Sequence, residues 1–244
     1  MSPVLTIMKR ELRAYFATPL AYIFIVIFLA LAGAFAFFLG SFFERGQADL
    51  DSFFVFHPWL YLFLVPAVAM RLWAEERRTG TIELLTTLPV TSFQAVLGKF
   101  LAAWLFTGIA LALTFPVWLT VNYLGEPDNG VIAVGYLGSW LMAGAFIALG
   151  ACMSALTKNQ VIAFVLGAAA GFLFLMSGME LVLAAFRGWA PPLVTDIVAS
   201  FSFITQYGQM MKGVLELSSV LFFASLIGVC LLVNALLVDL KKAA

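Results

Sequence analysis

Residues 17–43 read Ala17-Thr18-Pro19-Leu20-Ala21-Tyr22-Ile23-Phe24-Ile25-Val26-Ile27-Phe28-Leu29-Ala30-Leu31-Ala32-Gly33-Ala34-Phe35-Ala36-Phe37-Phe38-Leu39-Gly40-Ser41-Phe42-Phe43, without one charged side chain. A helix rises about 1.5 Å per residue and a bilayer's hydrocarbon core is about 30 Å thick, so about 20 apolar residues make one crossing. Backbone groups in hydrocarbon must be paired internally. A run of this length is therefore a helix, since barrel strands would be shorter and would alternate in polarity. Lys9, Arg10 and Arg13 precede the run. The uncharged stretch exceeds the roughly 7–15-residue apolar region of a cleavable signal, so this first helix is expected to remain in the mature protein.

The same pattern recurs along the chain. Five more stretches are apolar enough to span, near Phe54–Met70, Phe93–Leu124, Val131–Leu156, Gln160–Met179 and Leu217–Leu237. The 244 residues are 64% hydrophobic and 11% charged, where a soluble domain is roughly half apolar and about a quarter charged. Lipid must therefore be the solvent. The expected fold is all-α: a polytopic membrane protein with six transmembrane helices in a single unit over residues 1–244, with little left for a globular head. Pro66 and Pro116 fall inside apolar runs and should kink them. The formal charge of zero points to no nucleic-acid partner. Cys152 and Cys230 lie alone in apolar runs and read as small buried hydrophobes. The tryptophans, Trp104 and Trp140 among them, fit an interfacial belt.

The charges in the connections sort by sign. Basic residues mark the N-terminal stretch, the second connection (Arg71, Arg77, Arg78, Lys99), the fourth (Lys158) and the C-terminal stretch (Lys241, Lys242). Glu44, Asp49 and Asp51 mark the first connection, and Glu126 and Asp128 the third. The positive-inside rule places both termini in the cytoplasm, which an even number of crossings satisfies. Residues 2–16 read as an amphipathic interfacial helix, capped by Ser2 and started by Pro3. Leu5, Met8, Leu12, Tyr15 and Phe16 lie near one face, and Lys9, Arg10 and Arg13 on another. Residues 185–216, with Pro191 and Pro192, read as short interfacial helices on the outer face or as a re-entrant hairpin.

The most informative connection is 74–90: Ala74-Glu75-Glu76-Arg77-Arg78-Thr79-Gly80-Thr81-Ile82-Glu83-Leu84-Leu85-Thr86-Thr87-Leu88-Pro89-Val90. Gly80 supplies backbone freedom after the charged cluster. Thr79 or Thr81 can cap a following short helix on which Ile82, Leu85 and Leu88 share a side. Pro89 ends that helix. Thr91 and Gln94 form a capping box for the next span. A short apolar stripe flanked by Glu75, Glu76, Arg77, Arg78 and Glu83 is either a solvated topological anchor or a docking ridge for a soluble partner.

This connection resembles the intracellular coupling segment of type-2 ABC transporter permeases. The matching residues are Glu76, Arg77, Gly80, Thr81, Ile82, Glu83, Leu85, Pro89 and Val90. Lys9-Arg10-Glu11-Leu12-Arg13, Thr18-Pro19-Leu20-Ala21-Tyr22, Met70-Arg71 and Val96-Leu97-Gly98-Lys99-Phe100 are most similar to the gliding-motility-associated permease subfamily. The resemblance implies a permease in the bacterial inner membrane, exporting its cargo and driven by a cytoplasmic dimer of ABC ATPase subunits. The ATP and Mg would be bound there and not by this chain. It further implies a second permease chain, identical or different, with an auxiliary subunit bearing a periplasmic domain as a further partner. The coupling residues it indicates are Glu75, Glu76, Arg77, Arg78, Gly80, Thr81, Ile82, Glu83, Leu85 and Pro89. The sequence has no Gly-x-x-x-x-Gly-Lys-Ser/Thr phosphate loop, so any ATPase is expected on another polypeptide.

The spans carry few charges. His57 and Glu180, near outer ends of spans, are the pathway candidates, and both also read as interfacial residues reaching water. An amphipathic or lipid-linked cargo suits an apolar interior better than a small ion does. Three rivals remain: an intramembrane enzyme, for which one histidine and Ser154 or Ser177 without a base are poor material; an ATP-independent transporter; and a membrane scaffold that transmits force to periplasmic partners.

Overall fold

Prolines and hydroxyl side chains set the joints between the helices. The computed structural model describes residues 2–81, 89–188 and 191–242. Helix α1 (Pro3–Phe16) starts on Pro3, with the Ser2 hydroxyl accepting the Leu5 N–H, and α2 (Pro19–Ala34) starts on Pro19. The chain continues through a π-helical turn, Phe35–Leu39. Next come α3 (Asp51–Phe54), α4 (His57–Ala69), α5 (Arg71–Thr79), α6 (Ser92–Ala112) and α7 (Phe115–Leu124). The remainder is α8 (Asn129–Leu156), α9 (Gln160–Met176), α10 (Glu180–Arg187), α11 (Pro192–Ser200), α12 (Phe203–Met211) and α13 (Leu217–Lys242). Among the described residues there is no strand.

Both expected proline kinks fall at joints. Pro116 opens α7, and the α6–α7 break at Leu113–Thr114 is closed by the Thr114 hydroxyl donating to the Leu111 carbonyl at 2.6 Å. Pro66 lies inside α4, which breaks four residues later at Met70. Ser154 of α8 enters that break: its hydroxyl donates to the Met70 carbonyl at 2.7 Å and accepts the N–H groups of Trp73 and Ala74 at 3.1 and 3.0 Å. An inserted side chain of this kind is a recognised cause of a sharp helix bend. Ser154 is thus a joint pin.

Five helical stretches are long and apolar enough to cross a membrane: Pro19–Leu39, Asp51–Thr79, Ser92–Leu124, Asn129–Leu156 and Leu217–Leu240. The remaining expected span corresponds to α9, which is apolar but only 17 residues long, because the chain turns at Ser177 and Gly178 before Glu180 opens α10. Gly178 lies against Ser202 and Thr205, so there is no room for the helix to continue past α12. At the basal end of the bundle, α1 lies on the start of α6, with Ile7 and Val4 against Gly98. The start of α9 touches α5 there through Gln160 and Glu75. Ser92 at the head of α6 hydrogen-bonds Asp239 near the end of α13. At the apical end, Tyr207 and Met210 of α12 close on Gly135 and Gly138 of α8. Accordingly α9 runs from the basal to the apical end, and α13 returns.

Residues 185–216 form the end of α10, all of α11 and α12, and the approach to α13. Phe203, Tyr207 and Met210 are buried, so α12 is packed into the bundle while α10 stays on its surface. Ile7 is the buried residue of α1, whereas Leu5 is 43% exposed. The packed side runs through Val4, Ile7, Glu11 and Tyr15 and takes in Leu12 and Phe16 of the expected apolar face, with Tyr15 stacked on Phe106 at 5.0 Å and Phe16 edge-on to the same ring.

Trp104 and Trp140 do not form a belt. They stack at 4.3 Å in the middle of α6 and α8, and each indole donates to the other's backbone carbonyl, at 2.8 and 3.2 Å. Gly108 and Gly144, one turn on from each, provide the space: a Cβ at either would lie 2.8 Å from the opposite indole nitrogen. An indole N–H in hydrocarbon needs an acceptor, and the facing glycines bring a helix carbonyl within reach. Gly150 and Gly167 also allow a close approach, where α8, α9 and Pro66 of α4 meet. Cys152 and Cys230 are free and buried, the Cys152 thiol donating to the Cys230 carbonyl.

Candidate functional site

The segment 74–90 begins as the last turns of α5. Gly80 ends the helix in the left-handed region, at φ 74°, a conformation that costs glycine little. Thr79 and Thr81 turn back onto α5: the Thr79 hydroxyl donates to the Glu75 carbonyl at 3.0 Å and the Thr81 hydroxyl to the Glu76 carbonyl at 3.4 Å. They close the C-terminus of α5. The expected helix with Ile82, Glu83, Leu85 and Leu88 lies outside the described residues. On the far side, Pro89 is exposed, and the capping box is formed: Gln94 N–H to the Thr91 hydroxyl at 3.2 Å, Thr91 N–H to the Gln94 side chain at 3.1 Å.

The charged residues of α5 divide by direction. Arg78 is 62% exposed, and Thr81 and Gly80 are exposed. Glu75, Glu76 and Arg77 face the bundle. Glu75 receives Arg71 Nε at 3.0 Å and the Gln160 amide at 2.9 Å, linking α5 to α9. Arg77 donates to the Ala155 carbonyl at 2.8 Å, satisfying one of the orphan acceptors at the end of α8. Glu76 binds Lys99 Nζ at 2.7 Å, and Lys99 also reaches Glu11 of α1 at 3.4 Å and lies 5.3 Å above the Trp73 ring.

Lys99 is 3% exposed, a cation eight residues into an apolar helix. Desolvating an ammonium is expensive unless paired, so the two carboxylates are the condition for its presence. The Glu11 carboxyl titrates below its ordinary range: burial pushes it up, but the attraction of Lys99, followed by that of Arg10 at 2.6 Å, outweighs burial. One lysine thus ties the interfacial-type helix, the α5 lever and the first turns of α6 into a single ionic knot. Lys9, Arg10 and Arg13 point outward.

The sequence reading assigned Lys99 to a connection, weighed Ser154 only as a nucleophile without a base, and did not single out Glu11 or Gln160. A lysine inside the run Phe93–Leu124 is itself a signal, since charges at membrane depth are costly and partnered.

His57 does not reach water. It is fully buried: Ser139 of α8 lies 2.8 Å from its Nδ1 and 2.7 Å from the Tyr61 hydroxyl, inside walls formed by Phe28, Phe53, Phe54 and Tyr136. The reason is topological: α3 folds back over the head of α4 and covers the ring. Ser139 and His57 make a serine–histidine contact, but among the described residues Nε2 has no partner and no carboxylate orients the ring. The group reads as a polar staple between α4 and α8. Glu180 is exposed and pairs with Arg187 on the surface of α10. Among the described residues no cluster of histidine, cysteine or acidic side chains could hold a metal ion.

A comparison with curated proteins gives no match. A family model described as ABC-2 family transporter protein matches residues 50–237, from the head of α3 to near the end of α13, and so takes in the Ser154 joint, the Pro116 joint and the links of α5 to α6, α8 and α9. That match covers well over half of the chain, which therefore belongs to the ABC-2 transporter family.

Proposed function

We propose that the chain is the permease subunit of an ATP-driven exporter, worked by separate ABC ATPase subunits that grip residues 74–90. The observation that carries this reading is the wiring of α5. Its inner face is fastened to α6 and α1 through Lys99, to α8 through Arg77 and the Ser154 pin, and to α9 through Gln160. Force applied just beyond Gly80 would therefore reach most of the bundle. Bistable packing biased by a bound nucleotide in the partner is the physical basis of such coupling.

The roles within the segment then separate. Arg78, Gly80, Thr81 and Pro89, with Ile82, Glu83 and Leu85, supply the docking surface. Glu75, Glu76 and Arg77 transmit the movement inward. Six passes, with α9 as the short one, suit a chain whose α1 and α13 end meet at the basal end. The basic connections favour the cytoplasm for that end and a bacterial inner membrane for the whole. A second permease chain completes the pathway, and the apolar span centres favour an amphipathic or lipid-linked cargo.

The test is ATP hydrolysis by the complex purified in mild detergent. Gly80→Val strains the left-handed cap and Glu83→Lys inverts a docking charge. Both variants should insert normally yet lose stimulation of the ATPase by the permease. Full stimulation in both would overturn the docking role. Stimulation by hydrophilic ions and none by lipid-linked molecules would overturn the cargo class.

A further inference from the structure

Two cavities meet at Tyr15. The polar one, of about 180 Å³, is lined by Glu11, Arg71, Glu75, Glu76 and Lys99. The apolar one, of about 160 Å³, lies between α2 and α4 and is lined by Leu20, Ile23, Ile27, Leu64, Ala67 and Phe106. Tyr15 borders both, and Met70 of the groove precedes Arg71 of the polar cavity. Leu20, Ile23 and Ile27 are 41, 53 and 42% exposed, so the groove opens sideways. An amphipathic molecule with a small charged head fits this pair of spaces, and neither space alone would specify it.

The charges say which head. Three carboxylates face two cations. Lys99 is held by Glu76 and Glu11. Arg71 engages Glu75 through Nε alone, so the outer edge of its guanidinium has no partner among the described residues. Glu76 uses only Oε1, and its Oε2 is buried with no hydrogen-bond partner. An unpaired buried carboxylate oxygen is costly and requires a donor. The cavity therefore offers an unused guanidinium edge, and Glu76 in its wall carries a carboxylate oxygen without a partner that a turn of the side chain could present, the complement of a head that carries one phosphate and one primary ammonium.

We propose that this is a seat for one aminophospholipid, phosphatidylethanolamine in chemical class, drawn from the leaflet at the basal end. The ammonium donates to Glu76 Oε2, the phosphate meets Arg71, and one acyl chain enters the α2–α4 groove. Phosphatidylcholine has no N–H to donate, and phosphatidylglycerol has no cation, so the site should discriminate against both. A lipid here would touch α1 and α5 together, beside the Lys99 knot. The seat requires only that α1 lies at the bilayer surface, so its failure would leave the permease reading standing.

The experiment is native mass spectrometry of the full chain, delipidated in mild detergent and titrated with the three phospholipids carrying identical acyl chains. The expected result is one phosphatidylethanolamine bound per chain, roughly tenfold tighter than either competitor, the scale of one charge-assisted hydrogen bond. Ala67→Trp fills the groove and touches no ion pair; it should weaken binding by about tenfold or more while helix content and melting stay unchanged. Glu76→Gln should reduce the preference over phosphatidylcholine. Equal retention of the three lipids, or undiminished binding in Ala67→Trp, overturns the proposal.

Discussion

Replacing Lys99 by Met keeps the length and volume of the side chain and removes its charge. In the structure this leaves Glu76 and Glu11, 18 and 17% exposed, without the cation that both contact. Removing one partner of a buried ion pair costs about 3–5 kcal/mol, and the partial exposure of the two carboxylates argues for the lower end, about 3 kcal/mol. For a chain of this size each kcal/mol moves the melting temperature by about 2–4 °C, so the loss should be roughly 6–12 °C. The assay is thermal unfolding of the purified full chain in one detergent, followed by circular dichroism. Glu76→Gln added to Lys99→Met should recover part of the loss, because one of the two stranded charges is gone. Arg45→Ala is the control: Arg45 meets Asp49 and Asp51 at 3.6 and 3.8 Å on the surface, and such pairs are worth at most about 1 kcal/mol. If Lys99→Met melts no lower than Arg45→Ala, the knot is not what holds α5 to α6 and α1, and the proposed transmission loses its anchor.

Three further outcomes are expected. The lowered titration of Glu11 means that its contribution to stability is complete above its unfolded value and is lost as pH falls through the lower folded one, so melting temperature should drop below about pH 4.5, less steeply in Glu11→Gln; equal slopes would refute this. Gly144→Val drives a side chain into Trp104, 2.8 Å from the position of its first carbon, and should cost about 1–3 kcal/mol or more, with Trp104→Ala restoring part of the loss; an unchanged melt would contradict the indole exchange. His57→Phe keeps the ring volume in its aromatic box and should leave ATP-driven activity intact with stability changed by less than about 1.5 kcal/mol, whereas His57→Ala should cost about 3 kcal/mol or more; loss of activity with normal folding in His57→Phe would restore His57 as a pathway residue.

Much of this architecture was legible in the chain. Uncharged runs longer than a bilayer crossing allow only helices, and the Thr91–Gln94 box, the Pro66 and Pro116 joints and the Gly80 turn depend on neighbours within a few residues. What was not legible needed partners far away in sequence. Lys99 stands out as a charge inside an apolar run and Glu76 as part of the 74–90 pattern, but nothing local pairs them with each other or with Glu11; the packing of α1 and α5 along α6 does that. His57 seemed to sit at a span end because nothing local reveals that α3 folds over it. Trp104 and Trp140 were read by position along their runs, while their pairing depends on the glycine each faces. Ser154 was weighed only as a nucleophile without a base, since a serine that pins another helix's bend looks like any serine in an apolar run. The 74–90 segment is the reverse case: its pattern was clear in the sequence, but Glu75, Glu76 and Arg77 point inward, a direction that spacing alone does not give.

The central claim is that a separate ATPase grips the stretch between α5 and α6. The direct measurement is photo-crosslinking from single positions, Arg78, Thr81 and Leu85, in membranes that contain the full chain and its co-expressed ATPase, with Val55 at the apical end as the control. The account predicts an ATPase-sized adduct from Arg78, Thr81 and Leu85, changed in yield by ATP, and none from Val55. Adducts only to lipid or to the chain itself from all four positions would contradict it.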